Sequence, residues 1–313
     1  MKARLTRLFE HPRVRAVLGV VQKLLSVAAA AFLAVKLYDI GWAELWAGLP
    51  RQPAFYLVFA ALYLVGPLAE VLIYTRLWGA GLRALPAFLR KRVYNELVVD
   101  YSGEAYLYLW AKRRLGVKDG RLLSTIKDVN LLSGVASNAV TLLLVAGFAL
   151  SGYATLLQGL DAGAARAVEI AASLAVAVML AVMLFGRHLL GVSRGQAFGI
   201  GGIHFTRMVL VLVLQALQWS SALPEVPLSQ WIMFLTAQML LTRVPLLPNR
   251  DVMLMWLGVT LAPAIAAPEA HVASMFVAAG VLSLLTHAAV FGMTALLDRR
   301  KLVPDLGTKG APA

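Results

Sequence analysis

The sequence predicts an all-α polytopic membrane protein, and three observations carry that prediction. Hydrophobic residues make up 60% of the 313 residues and charged ones 14%, and the mean hydropathy is +0.76, far from the balance of a soluble domain. Charge-free stretches such as Gln52 to Ala69, Val129 to Leu160, Ile170 to Gly186 and Ala270 to Leu297 approach or exceed the roughly 17 to 25 residues that a spanning helix needs. Polar residues break the apolar pattern at two corresponding places, Asn95 to Glu104 and Arg243 to Asp251, each after two apolar spans. Charges and helix breakers at membrane depth are costly and usually sit where protein surrounds a cavity or pathway. Paired breaks in two halves are the pattern of a transporter-like site.

Six crossings are expected, near 17–38, 53–75, 129–151, 167–188, 206–224 and 270–297. In the first, Lys23 and Lys36 can snorkel to opposite interfaces; a cleaved signal peptide is the other reading of this segment, but its basic leader is long for one. Two broken or re-entrant hairpins complete the architecture, one around 84–115 entering from the cytoplasmic side and one around 228–267 entering from outside. Residues 1–160 then form a first membrane repeat and 161–300 a second, inverted one, with 301–313 a disordered cytoplasmic tail carrying Pro304, Gly307, Gly310 and Pro312. The second hairpin's arms, Val226 to Thr242 and Val252 to Pro268, are long enough that each can just span, which gives eight crossings and one hairpin instead.

The net charge of +13 is placed for orientation in a membrane and not for nucleic acid. On the six-crossing layout, 24 of the 29 Lys and Arg residues fall on one side, only Lys36, Arg51 and Arg166 fall opposite, and Arg243 and Arg250 lie inside the second break. That bias puts both termini in the cytoplasm and favours anionic lipid headgroups on that side. The chain has no Cys, which excludes disulfides and thiolate metal sites. With no zinc signature, nucleophile elbow or P-loop, no cofactor, metal or catalytic set is expected.

The first hairpin opens with Leu82, Leu85, Phe88 and Leu89 at helical spacing beside Arg83, Arg90, Lys91 and Arg92, a pattern that suits a helix in the headgroup region or a solvated basic loop. Asn95, Glu96, Asp100, Ser102 and Glu104 then cluster around Gly103, whose backbone freedom fits a turn. Reaching into the membrane, these groups would bind a headgroup or a cation; staying at the interface, the acids would pair with the neighbouring arginines. In the second hairpin, Pro245 and Pro248 each remove a backbone donor. Arg243 and Arg250 flank the break beside Asn249 and Asp251, and an arginine fork matches a phosphate or carboxylate; pairing of Arg250 with Asp251 is the structural alternative. Glu70, three residues beyond Pro67, faces a central cavity or sits near Arg76. Lys127 and Asp128 read as an interfacial pair, His287 as a satisfied packing residue, and Gly195, Gly199, Gly201 and Gly202 as a flexible turn or close packing.

An Asn followed eight and nine residues later by Gly-Glu, here Asn95, Gly103 and Glu104, and then a basic cluster, resembles the first signature stretch of the lysylphosphatidylglycerol synthase transmembrane (flippase-type) domain family and its stand-alone relatives. The proline-centred break at Arg243 to Asp251 is similar to their second stretch. The chain departs from the pattern in having Val99 and Asp100 where a proline is expected, and Asn249-Arg250-Asp251 in place of a Gly-rich turn ending in Glu. The resemblance implies residence in a bacterial or archaeal inner membrane and movement of a phospholipid, glycolipid or polyprenyl-linked lipid between leaflets. An ion-coupled carrier of a small soluble anion and a non-transport accessory subunit of a membrane lipid-synthesis complex are the other expectations, and the residues leave the oligomeric state open. Because there is no native Cys, single cysteines can test the topology with impermeant reagents. Ala47 and Gly163 should label from outside and Ser102 from the cytoplasm; labelling of Ala3 and Thr308 from outside would overturn the orientation.

Overall fold

Long apolar helices bury their length against one another and leave a second apolar face outward, and the computed structural model shows both surfaces. It describes residues 37–97, 101–115, 119–150, 190–241 and 267–299, with a few single positions outside these stretches. The described residues are helical, without a strand. In chain order they form α1 (Trp42–Ala47), α2 (Pro53–Trp78), α3 (Leu85–Leu97), α4 (Ser102–Leu115), α5 (Asp119–Leu150), α6 (Arg194–Ala222), α7 (Leu228–Leu241) and α8 (Glu269–Arg299). Four of them, α2, α5, α6 and α8, are long and apolar enough to cross a membrane, as in a multi-pass membrane protein. Leu57, Leu64, Leu68 and Leu72 on α2, Leu210, Val213 and Leu217 on α6, and Val281, Leu284 and Leu285 on α8 are all exposed. A soluble protein rarely shows apolar faces of that extent.

Helix directions follow from the contacts. Gly199 stands beside Arg76 near the end of α2, while Trp219 packs with Phe55 at its start, so α6 runs antiparallel to α2. Ile126 and Val129 of α5 meet Ile73 and Tyr74, and Arg207 of α6 reaches Ser133 of α5, so α5 runs alongside α6. Phe276 joins the Phe55 cluster and Val290 joins Tyr63, so α8 runs with α2. Where α2, α6, α7 and α8 converge, Phe55, Trp219, Trp231, Phe234 and Phe276 form a buried aromatic core, with Trp219 5.2 Å from Phe234 edge-to-face and Phe234 5.9 Å from Phe276 stacked.

The chain leaves α2 through Gly79 in the left-handed region, φ 71, whose N–H reaches back to the Thr75 carbonyl at 2.9 Å; glycine takes this conformation without a Cβ penalty. A 3-10 turn over Leu82–Ala84 then starts α3, which folds back along α2. Phe88 stacks on Tyr74 at 5.3 Å, Lys91 meets Glu70, and Arg92 meets Tyr63. The end of α3 therefore stands near the middle of α2. Helix α4 returns beside it, with Leu107 in the Phe88 and Tyr74 cluster and Leu115 against Leu122 at the start of α5. At 13 and 14 residues, or about 20 Å each at 1.5 Å per residue, α3 and α4 are too short to cross a bilayer core of about 30 Å.

Two spans start earlier than their apolar runs suggest, α5 at Asp119 and α6 at Arg194, because polar first turns carry each helix beyond its apolar part. Gly195, Gly199, Gly201 and Gly202 thus belong to the first turns of α6 and not to a flexible turn. A capping box opens that helix, Ser193 Oγ accepting from the Gln196 N–H at 3.3 Å and Gln196 Oε1 from the Ser193 N–H at 3.1 Å. Asp128 does more than pair with Lys127 at 3.2 Å: fully buried, its Oδ2 accepts from the N–H groups of Gly191 and Val192 at 2.7 and 3.1 Å, tying the entry of α6 to α5. The expected spans near 17–38 and 167–188 and the tail 301–313 lie almost wholly outside the described residues.

Candidate functional site

Most of the described candidate residues gather where the hairpin of α3 and α4 folds against α2 and α8. At its tip the Asn95 side chain accepts from the Gly103 N–H at 2.7 Å, and Ser102 Oγ donates to the Tyr94 carbonyl at 2.7 Å, so α3 caps the start of α4. Gly103 has no room for a side chain, since a Cβ there would overlap the Lys91 carbonyl and the Asn95 amide. Tyr101, just before it, is the one described non-glycine residue at positive φ, 69°. The spacing from Asn95 to Gly103 and Glu104 thus has a local cause: cap, close approach, and a carboxylate placed inward.

Lys91, 3% exposed, lies between two carboxylates, touching Glu70 of α2 and standing 3.2 Å from Glu104 of α4. Burial works against its charge, and the two carboxylates beside it offset that cost. Helix α6 brings His204 into the electrostatic reach of Lys91 and Arg207 into that of Glu70. Arg207 donates to Ser133 Oγ at 3.1 Å. Glu70 and Glu104 against Lys91 and Arg207 make a neutral set, so these charges compensate one another inside an apolar bundle. Among the described residues the Tyr74 hydroxyl, Glu104 Oε2 and Arg207 Nε are buried without a hydrogen bond, and the His204 ring stands by the Val129 carbonyl without reaching good geometry.

A second network lies one helical turn deeper along α3. Pro67 has no N–H, so the Tyr63 carbonyl four residues earlier loses its helical partner. Arg92 supplies one, donating from Nη1 to that carbonyl at 2.7 Å with its guanidinium 4.3 Å from the Tyr63 ring. Glu96 then bridges Arg92 and His287, Oε1 accepting from Arg92 Nε at 2.7 Å and Oε2 lying 2.8 Å from His287 Nε2. The other imidazole nitrogen, Nδ1, is 2.8 Å from the Tyr63 hydroxyl.

Of the residues singled out from sequence, Glu70, Asn95, Glu96, Ser102, Gly103 and Glu104 come together here. Asp100, Arg243, Pro245, Pro248, Asn249, Arg250 and Asp251 lie outside the described residues. Glu70 pairs with Lys91, not Arg76. In the sequence Lys91 and Arg92 belong to a basic stretch whose arginines are expected to pair with nearby acids, as Arg92 does with Glu96, while Tyr63 and the linking role of His287 carry no mark. A signal existed for Lys91, which falls one turn from Phe88 on the apolar face of α3. Among the described residues no cluster of His, Asp and Glu has the makings of a metal site. No family model, no curated protein and no solved structure matches this chain.

The Lys91 pairings predict a non-additive mutant cycle. Lys91→Met should leave two poorly solvated carboxylates and cost about 3 to 5 kcal/mol, whereas adding Glu70→Gln and Glu104→Gln should recover most of it. Denaturant titration of the purified protein in detergent measures both; a single mutant as stable as the native chain would show that the cluster does not hold the hairpin.

Proposed function

We propose that this chain is a transporter of flippase type, moving a phospholipid, glycolipid or polyprenyl-linked lipid between the leaflets of a bacterial inner membrane. The observation that carries the reading is the hairpin of two helices too short to cross, folded back so that its polar tip stands midway along two helices of crossing length. Interrupted helices with polar groups at mid-depth are how membrane carriers build a substrate site. The opposed directions of α2 and α8 against α5 and α6 fit the layout in which positive charge collects on the cytoplasmic side, and the likeness of Asn95, Gly103 and Glu104 to the flippase-type signature points the same way.

On this reading a lipid headgroup enters where the two hairpins meet, its acyl chains staying in the bilayer. Arg243 and Arg250 hold its phosphate, with Asn249 and Asp251 beside them in the site. Glu70 and Glu104 serve a cationic part of the headgroup only in exchange with Lys91, and Glu96 only in exchange with Arg92 or His287, because each is already paired. Rocking of one half against the other changes which leaflet the site faces.

The same pairing favours a second reading, a non-transport subunit of a membrane lipid-synthesis complex in which the charges only fix the fold. Reconstitution separates the two. Purified chain in liposomes should speed leaflet exchange of at least one labelled lipid from a panel of anionic and zwitterionic headgroups. Arg250→Gln should lower that rate at least tenfold with folded yield unchanged. Exchange no faster than in protein-free liposomes across the panel would favour the structural reading, and uptake of a soluble anion instead would favour an ion-coupled carrier.

A further inference from the structure

The chain of hydrogen bonds from Glu96 through His287 to Tyr63 does something the flippase reading does not require. It links three elements at the hairpin tip, α3, α8 and α2, through partners 191 and 224 residues apart in sequence. Its members differ in access: the Glu96 side chain is 37% exposed, the His287 side chain 3%. We propose that this chain is a proton-binding site, with His287 holding the proton, Glu96 as its point of entry, and Tyr63 as the partner that reverses its role when the proton arrives. The site rests on the transport reading only for its use, which would be to supply the coupling ion.

The heavy-atom geometry allows one proton more or fewer, with the Tyr63 hydroxyl turning from donor to acceptor. With Nε2 protonated, His287 donates to Glu96 and Nδ1 accepts from the Tyr63 hydroxyl. Exchange to the other neutral tautomer, in which Nδ1–H donates to the Tyr63 oxygen, frees Nε2 to take a proton carried in on Glu96. The product is an imidazolium donating on both sides, facing the Glu96 carboxylate, with one proton taken from water. A reversible site needs both states to stay hydrogen-bonded, and histidine is the side chain whose ordinary range lies near neutral pH.

Among the described residues, the other charged groups around His287 come from three helices. From α3 come Glu96 and Arg92, and one turn further on Arg90 and Tyr94 face the Phe291 ring at 5.2 and 6.3 Å. From α2 comes Tyr63, with Glu70 held by Lys91. On α8 itself Ser283 Oγ lies 3.2 Å from Nε2. Helix α1 meets α8 at Ser274, 13 residues or about 20 Å along the helix axis from His287, which keeps Glu44 out of the site. Since Glu96 has one oxygen for Arg92 and one for His287, loading the imidazole strengthens the tie between the hairpin tip and α8.

The test uses the full chain in lipid nanodiscs, with ring-labelled histidine followed by nuclear magnetic resonance from about pH 8 to pH 5 and His287→Gln assigning the signal. A cysteine at Leu97, which is exposed at the end of α3, reports the tip. His287 should pass from singly to doubly protonated, labelling of Leu97→Cys, taken relative to a free thiol at each pH because the thiolate is the reacting form, should slow at least threefold over the same range, and His287→Gln should abolish this extra slowing. Tyr63→Phe, which keeps the ring packing, should shift the midpoint if His287→Gln folds poorly. A His287 that stays in one form throughout, or a labelling change relative to the free thiol that persists in His287→Gln, overturns the proposal. These readouts do not depend on lipid movement, so absent leaflet exchange with an intact titration would sink the flippase reading and leave the proton site standing.

Discussion

The structure turns on one buried ammonium. Lys91 sits between Glu70 and Glu104 and so joins three elements, a long helix and both arms of a short hairpin, with its own side chain almost wholly out of solvent. Taking a lysine out of water is costly, and only close carboxylates offset it. The three groups therefore fix each other: the hairpin cannot swing out without exposing an unpaired charge to apolar surroundings. Around this fixed point the tip acquires its shape. Asn95 caps α4, Gly103 lets the arms touch, and Arg92 reaches the carbonyl that Pro67 leaves open.

That arrangement separates two kinds of polar group in one bundle. Glu70, Glu104, Lys91 and Arg207 compensate one another and belong to the scaffold, as does Asp128, which holds the entry of α6. Glu96, His287 and Tyr63 form a chain that can change its proton count and still remain bonded. The first set is suited to hold the hairpin still, the second to move its tip. A carrier needs both, a rigid frame and one element with two discrete arrangements.

How much was legible in the sequence follows from what each feature depends on. The apolar runs that became α2, α5, α6 and α8 are visible because length and hydropathy are local properties. Their starts are not, since Asp119 to Asp128 and Arg194 to Arg207 carry charge while continuing the same helix. The first hairpin is visible from its polar cluster and glycine. Its depth is hidden, because a run of Arg90, Lys91 and Arg92 reads as surface charge until Glu70 and Glu104 are seen beside it. His287 reads as packing for the same reason: its acidic partner is 191 residues away. Pro67 could be noted as a break, but which residue would use the freed carbonyl depends on the fold.

The central claim is that the hairpin tip lies at mid-depth in the membrane. Its most direct test is quenching of a fluorophore at Leu97 by lipids brominated at different positions along the acyl chain, in otherwise native protein. Leu97 ends α3 beside Glu96, near the midpoint of α2. The account predicts strongest quenching by bromines far down the chains. Strongest quenching by bromines next to the headgroup would place the hairpin at the interface and contradict it.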